Sequence, residues 1–176
     1  MRSILRSYRE LVETSWADQH PDLATRAESW PSLGLDGLER EIETLLVEAA
    51  RPPREVRVFW KWGDDLTYLG LNAPFAADAG FSSPQAMIGR TDFDSEIPWT
   101  RQAAKYQADD RDVMARGEIW PYILERQERE SGVEWLHTGK SPIRDQDGTV
   151  IGLLGMYETI DSRRAMEIRR KSGQLD

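Results

Sequence analysis

EWLHTGKSPIRDQDGTVIGLLGMYETID, residues 134–161, is the stretch that decides the fold. Glu134 to Ile143 and Thr149 to Glu158 are two strand-like runs. Asp145-Gln146-Asp147-Gly148 between them is hairpin chemistry, because glycine accepts the positive φ that such turns require. Asp161 then caps a terminal helix that carries Ala165 and Ile168 and runs to about Lys171.

Working outward, Tyr122 to Arg129 is a third strand-like run, set off by Ser131-Gly132. Before it, Trp99 to Arg116 reads as a helix, with Ala103, Tyr106, Asp110 and Val113 on related faces and Gly117 as its stop. Asn72 to Ala79 is short and helix-prone, and Ser83-Pro84 opens another short turn of helix ending at Gly89. Val56 to Trp62 and Thr67 to Leu71 pair around the tight turn Gly63-Asp64-Asp65. Two strands, a helical insert and three strands predict an α+β fold: one five-stranded antiparallel sheet with short helices over one face.

Further out lie two amphipathic helices. Ile4, Leu5, Tyr8, Leu11, Val12 and Trp16 recur at helical spacing over about 3–17. His20-Pro21 interrupts this stripe, and Pro31 and Gly34 close a mixed linker. Asp36 with Glu39 resembles a helix start, followed by Leu38, Ile42, Leu45, Leu46 and Ala49 up to Pro52-Pro53. Neither stripe can be buried by its own helix, so each must pack on the rest of the chain or on a second copy.

The 176 residues, 39% hydrophobic and 31% charged, suit one ordinary domain with room for an extra helix or two. The net charge of −8 repels nucleic acid and anionic membrane surfaces. No apolar run approaches the ~18 residues of a membrane span, and the Arg- and Glu-bearing first residues lack the apolar centre of a secretory signal. The absence of cysteine removes disulfides, thiol nucleophiles, thiolate metal sites and cysteinyl-flavin chemistry. A cytoplasmic protein is the expectation.

The ordered set FWKWGDDLTYLGLN (59–72), PFAADAG (74–80), IGRTDFD (88–94), PWTRQAAKYQADDRDVMARG (98–117) and the 134–161 stretch resembles a PAS domain. The type is the bacterial sensory one found in front of diguanylate cyclases and histidine kinases. Two positions depart from its pattern. Trp62 stands where the family has an acidic residue after FWK, and Thr159-Ile160-Asp161 reverses the family's closing Asp-Ile-Thr. The division expected is 1–54 as a helical extension, 55–160 as the PAS domain and 161–176 as a signalling-type helix and tail. The resemblance implies a regulatory sensor or interaction module signalling through dimer contacts, with Thr159 and Asp161 coupling the sheet to the output helix.

Candidate chemistry is sparse. Haem needs an axial ligand, yet only His20 and His137 exist, and residues 73–117, where haem-binding PAS domains usually carry theirs, contain none. The alternative is a flavin held without a covalent bond near Asn72, Trp60, Trp99 and Trp135, making a redox or light sensor. Asp109, Asp110 and Asp112 diverge on a helix, and Asp92, Asp94 and Glu96 read as caps and surface, so no metal is expected. No phosphate loop, nucleophile motif or His–carboxylate set supports catalysis.

A small-molecule pocket between sheet and helices remains. By resemblance, Trp135, His137, Gly139 and Ser141 alternate inward on the fourth strand, with Leu154 and Met156 inward on the fifth. Asn72, Phe75, Trp99 and Tyr106 complete the candidates, either lining a pocket or filling it. The expected partners are a second copy, joined through the N-terminal helices, a signalling protein and a small ligand, with neither nucleic acid nor membrane. A purely structural dimerisation module is the third reading.

Overall fold

A computed structural model describes residues 2–20, 35–52, 55–129 and 132–173. Helices α1 (Arg2–Ser15) and α2 (Leu35–Ala50) precede strands β1 (Arg57–Trp62) and β2 (Thr67–Leu71). Helix α3 (Ala73–Asp78), two 3-10 turns (Pro84–Ala86 and Thr100–Gln102) and α4 (Ala103–Arg116) form the insert. Strands β3 (Trp120–Arg129), β4 (Gly132–Arg144) and β5 (Val150–Ile160) follow, and β5 runs into α5 (Ser162–Ser172). The sheet order is β2-β1-β5-β4-β3, antiparallel throughout. The long helix expected from Trp99 opens as a 3-10 turn and becomes α-helical only at Ala103.

The insert covers one face of the sheet, here called inner. Phe59, Leu136, Leu153 and Tyr157 from the strands meet Phe75, Ala76, Met87, Ile97 and Val113 there. The N-terminal helices cover the opposite, outer face. Val58, Ile143, Leu154 and Met156 pack against Ile4, Leu5, Leu11, Val12 and Trp16 of the first segment and Leu45 and Ala49 of α2. Ser7 Oγ donates to the Pro142 carbonyl at 2.8 Å and Ser15 Oγ to the Pro121 carbonyl at 2.9 Å, fixing α1 across β4 and β3.

This placement decides between the two covers open to the stripe at residues 3–17, which packs on the sheet of its own chain and not on a second copy. The stripe is not left exposed: Leu11, Val12 and Trp16 are fully buried within one chain. Gly139 is what admits them, since a Cβ there would sit 2.8 Å from the Trp16 ring and 2.9 Å from Leu11 Cδ1. The linker between residues 21 and 34 lies outside the described residues, as do the Asp36 and Glu39 side chains and the turn at Ser131.

Candidate functional site

Four charges are buried on the inner face. Lys61, the penultimate residue of β1, donates to Asp92 Oδ2 at 2.5 Å and to Asp110 Oδ2 at 2.7 Å. Lys140, from β4, donates to Asp110 Oδ1 at 2.6 Å. Asp92 also accepts from Tyr68 Oη at 2.6 Å and Trp99 Nε1 at 3.2 Å. Each of the four is at most 3% exposed, so the charges are tolerable only because they are paired and hydrogen-bonded. Burial alone would raise the Asp110 carboxyl, but Lys61 and Lys140 hold it below the usual carboxylate range. Burial would likewise lower Lys140, and Asp110 and Glu125 reverse this. The Tyr68 phenol is pushed well up by burial and then by Asp92, which keeps it a neutral donor.

Above this network stand six rings: Phe59, Tyr68, Phe75, Trp99, Tyr106 and Tyr157. Phe75 is their hub, with centroids 4.8 Å from Phe59, 5.5 Å from Tyr68, 5.6 Å from Trp99 and 5.8 Å from Tyr157. Gly155 makes room for the Phe59 ring, which a Cβ there would meet at 2.2 Å. The rings fill part of the inner space and leave a cavity of about 60 Å³ in which the centre of a water molecule can move. A single water needs roughly 10–15 Å³ on that measure, so there is space for a small organic molecule. Half-buried Trp99 and Tyr106 line it, and Glu125, Gln127, Leu136 and Thr138 complete its wall.

Three expected pocket residues, Phe75, Trp99 and Tyr106, are brought together here. The others are not. The parity assigned to β4 and β5 is reversed: Leu136, Thr138 and Lys140 face inward, as do Leu153 and Tyr157. His137, Gly139, Leu154 and Met156 lie on the outer face, and alternation places Ser141 and Trp135 with them. A one-residue slip exchanges the two faces of a strand.

Asn72 serves the backbone instead. Its Oδ1 accepts from the Val58 amide at 3.1 Å, and its Nδ2 donates to the Val56 carbonyl at 2.8 Å and the Leu46 carbonyl at 3.4 Å. Trp60 packs against α1 and α2. Of the residues proposed for a flavin ring, only Trp99 therefore reaches the cavity. The acidic groups considered for a metal are dispersed too. Asp94 accepts from the Thr91 amide at 2.8 Å, Glu96 pairs with Arg90, and Asp109 pairs with Lys105 at 2.9 Å. Among the described residues no three His, Asp or Glu side chains converge as a metal site would require.

Lys61, Glu125, Thr138 and Lys140 are not among the residues singled out from the sequence, where, as site candidates, Asp92 and Asp110 figure only as rejected metal ligands. One signal did point to them. A lysine inside FWKW, between aromatics in a strand-like run, demands buried carboxylate partners.

A second polar cluster lies on the outer face. The His137 ring is sandwiched between Trp16, 4.4 Å away, and Tyr122, 5.8 Å away. Its Nε2 is 2.9 Å from the Pro121 carbonyl and its Nδ1 3.3 Å from Glu158 Oε1. His20 Nε2 reaches Glu158 Oε2 at 3.3 Å. Burial would raise the Glu158 carboxyl, but hydrogen bonds from His137 and His20 bring it down to about 2. Three residues later, Asp161 Oδ1 accepts from the Arg164 amide at 2.7 Å, the cap expected for α5. Thr159 pairs with Leu136 in the last rungs of the sheet and is exposed.

No curated protein matches the chain. Among solved structures it is similar to VqmA bound to DPO, with 24% identity over 58% of this chain and 52% of that one and a TM-score of 0.50. A Vibrio cholerae VqmA–ligand–DNA complex matches at 21% identity over 77% and 60% of the two chains, with a TM-score of 0.55. A phage VqmA–DPO complex matches at 23% over 80% and 62%, with a TM-score of 0.52. The chain thus spans between about half and three fifths of these proteins' lengths. At such identities the likeness shows the fold. A family model described as the PAS fold matches residues 56–165, more than half of the chain, which therefore belongs to the PAS family.

Proposed function

We propose that this protein is a non-catalytic sensor that holds a small molecule in its inner-face cavity and reports occupancy through β5 and α5. The observation that carries the reading is the aromatic-lined cavity floored by the buried Lys61–Asp92–Asp110–Lys140 network. A concave apolar site with a few convergent polar groups is the usual form of a ligand pocket. Tyr157 lines the cavity, its neighbour Glu158 faces the histidines, and Asp161 caps the next helix, so one strand touches ligand, N-terminal segment and output helix.

No flavin or haem belongs to this reading, and freshly purified protein should show only tryptophan and tyrosine absorption. A stoichiometric flavin or Soret band would overturn it. Action as a homodimer, with a signalling protein as partner, completes the proposal. VqmA, similar in fold, is described as a dimer, and sedimentation velocity tests this chain directly. The ligand test is a fragment screen by ligand-observed NMR against the full chain and a Leu136→Trp variant that fills the cavity. Hits that vanish in the variant, with the sheet's amide spectrum retained, support the sensor. Hits indifferent to the filling place binding elsewhere and sink it.

A further inference from the structure

The hydrogen bonds around His137 ask more protons of it than a neutral imidazole holds. Its Nε2 lies 2.9 Å from the Pro121 carbonyl and its Nδ1 3.3 Å from a carboxylate oxygen of Glu158. A carbonyl and an ionised carboxylate can only accept, so both ring nitrogens must donate, and only the imidazolium carries a proton on each. Glu158 is ionised, since its carboxyl lies at about 2. His20 is under no such demand. Its Nε2 alone meets an acceptor among the described residues, and the neutral tautomer with the proton there suffices.

The surroundings suit a cation that no water reaches. The His137 side chain is 0% exposed and stacks on Trp16 and Tyr122, with 17° and 15° between the ring planes. Aromatic faces attract a desolvated positive charge. Glu158 stands directly opposite on β5, in the rung that pairs the two residues. From α5, Lys171 Nζ lies 4.8 Å from the centre of the Tyr122 ring, and Arg164 pairs with Glu167. From β3 the ring meets the Tyr122 phenol, which donates to the Thr14 carbonyl at 2.8 Å. His20 is the remaining titratable group, and it faces the carboxylate.

His137 also stands where segments meet. Its strand and that of Glu158 are held by their own ladder. The Pro121 carbonyl falls in the irregular stretch of β3 between Trp120 and Ile123, and it accepts from Ser15 Oγ as well as from His137. Trp16 and His20, by contrast, reach the ring and its carboxylate through side chains.

We propose that the second proton of His137 is a latch: while present it seats the C-terminal end of α1 on the sheet, and its loss as the pH rises unseats that end. A bare Nδ1 would face the carboxylate lone pair to lone pair with no water between, and leaving both unmet costs free energy. Withdrawal of Trp16 and His20 admits water to bridge the two groups, whereas parting β4 from β5 would break the ladder. The folded chain keeps a proton that the unfolded chain releases, so the seat is strongest on the acid side of the step and weakened above it. The latch lies on the face opposite the cavity, so it acts whether or not a ligand is bound.

The test uses the full chain with isotopically labelled histidine, and His20→Gln assigns the two rings. Long-range proton–nitrogen NMR at about pH 6 should find both nitrogens of His137 protonated. Raising the pH to about 9 should remove the Nδ1 proton. In the same step, protection of residues 14–19 against hydrogen exchange should fall about tenfold, while that of residues 153–158 holds. Glu158→Gln, whose carboxamide can donate to a bare Nδ1, should leave His137 neutral at about pH 6 and abolish the step in α1. A single protonated nitrogen at about pH 6 in the unsubstituted chain would overturn the latch, as would a second proton still bound at about pH 9. So would loss of that proton with protection of residues 14–19 unchanged, or a step in α1 that survives Glu158→Gln. Should that variant fail to fold, the unsubstituted chain decides alone.

Discussion

Asp110 shows how much a single side chain on the inner face carries. It is 1% exposed and receives hydrogen bonds from both buried lysines, one from β1 and one from β4. Its removal leaves two ammonium groups short of a partner, and breaking a buried pair in this way costs about 3–5 kcal/mol. Asp110→Ala is therefore expected to lose about that much stability in urea unfolding. An unchanged midpoint would mean that water replaces the carboxylate freely. Gly139 makes the opposite demand, for absence of bulk. Gly139→Ala drives a methyl into Trp16 and Leu11, and overpacking of this kind costs about 1–3 kcal/mol. Fragment binding on the inner face should persist in this variant, whereas a Gly139 that bordered the ligand would change binding first.

At the scale of elements, α5 depends on its first turn. Asp161 satisfies the Arg164 amide, and losing such a cap costs about 1 kcal/mol. Asp161→Ala should raise hydrogen exchange over residues 162–172 while the sheet stays protected; equal protection would remove Asp161 from the route out of β5. The strands, the turns at Gly63 and Gly148, the body of α4 from Ala103 and this cap were legible in the sequence, because period, turn glycines and capping residues are local signals. Which face of β4 and β5 looks at the cavity was not. Residues 136–143 of β4 and 152–158 of β5 are buried without interruption. Strands covered on both faces lose the apolar–polar alternation that identifies the inward side. The polar residues gave no help, since His137 and Thr138 are adjacent, opposite in direction and both buried. The outer cover comes from residues far off in sequence, and no local pattern announces it. Lys61 and Lys140 were visible only as charges in strands, and their partners come from a loop and a helix that folding alone brings near.

For the whole molecule, Glu158 joins three segments, taking His20 after α1 and His137 of β4 while standing at the end of β5. Its carboxyl lies at about 2 against an ordinary 4.5. A depressed carboxyl contributes stability that is complete above the ordinary value and is lost as the pH falls from about 4.5 towards 2. The stability difference between the protein and Glu158→Gln, at most roughly 3 kcal/mol by linkage, should therefore be full at pH 6 and shrink steadily below pH 4.5 in urea titrations. A difference constant across that range would detach Glu158 from the histidines. The seating of α1 on β4 has a consequence of another kind. Ser7 and Pro142, which bond across that contact, are 135 positions apart in the chain. A ribosome makes the helix long before it makes the strand, so the amphipathic α1 must wait, apolar side unmet, until β4 and β5 have emerged and paired. Chains growing at about 5–20 residues per second leave that surface uncovered for roughly ten seconds or more. A helix synthesised well before β4 and β5 is thus seated only after them, and crowded nascent chains are most vulnerable to sticking together in that interval.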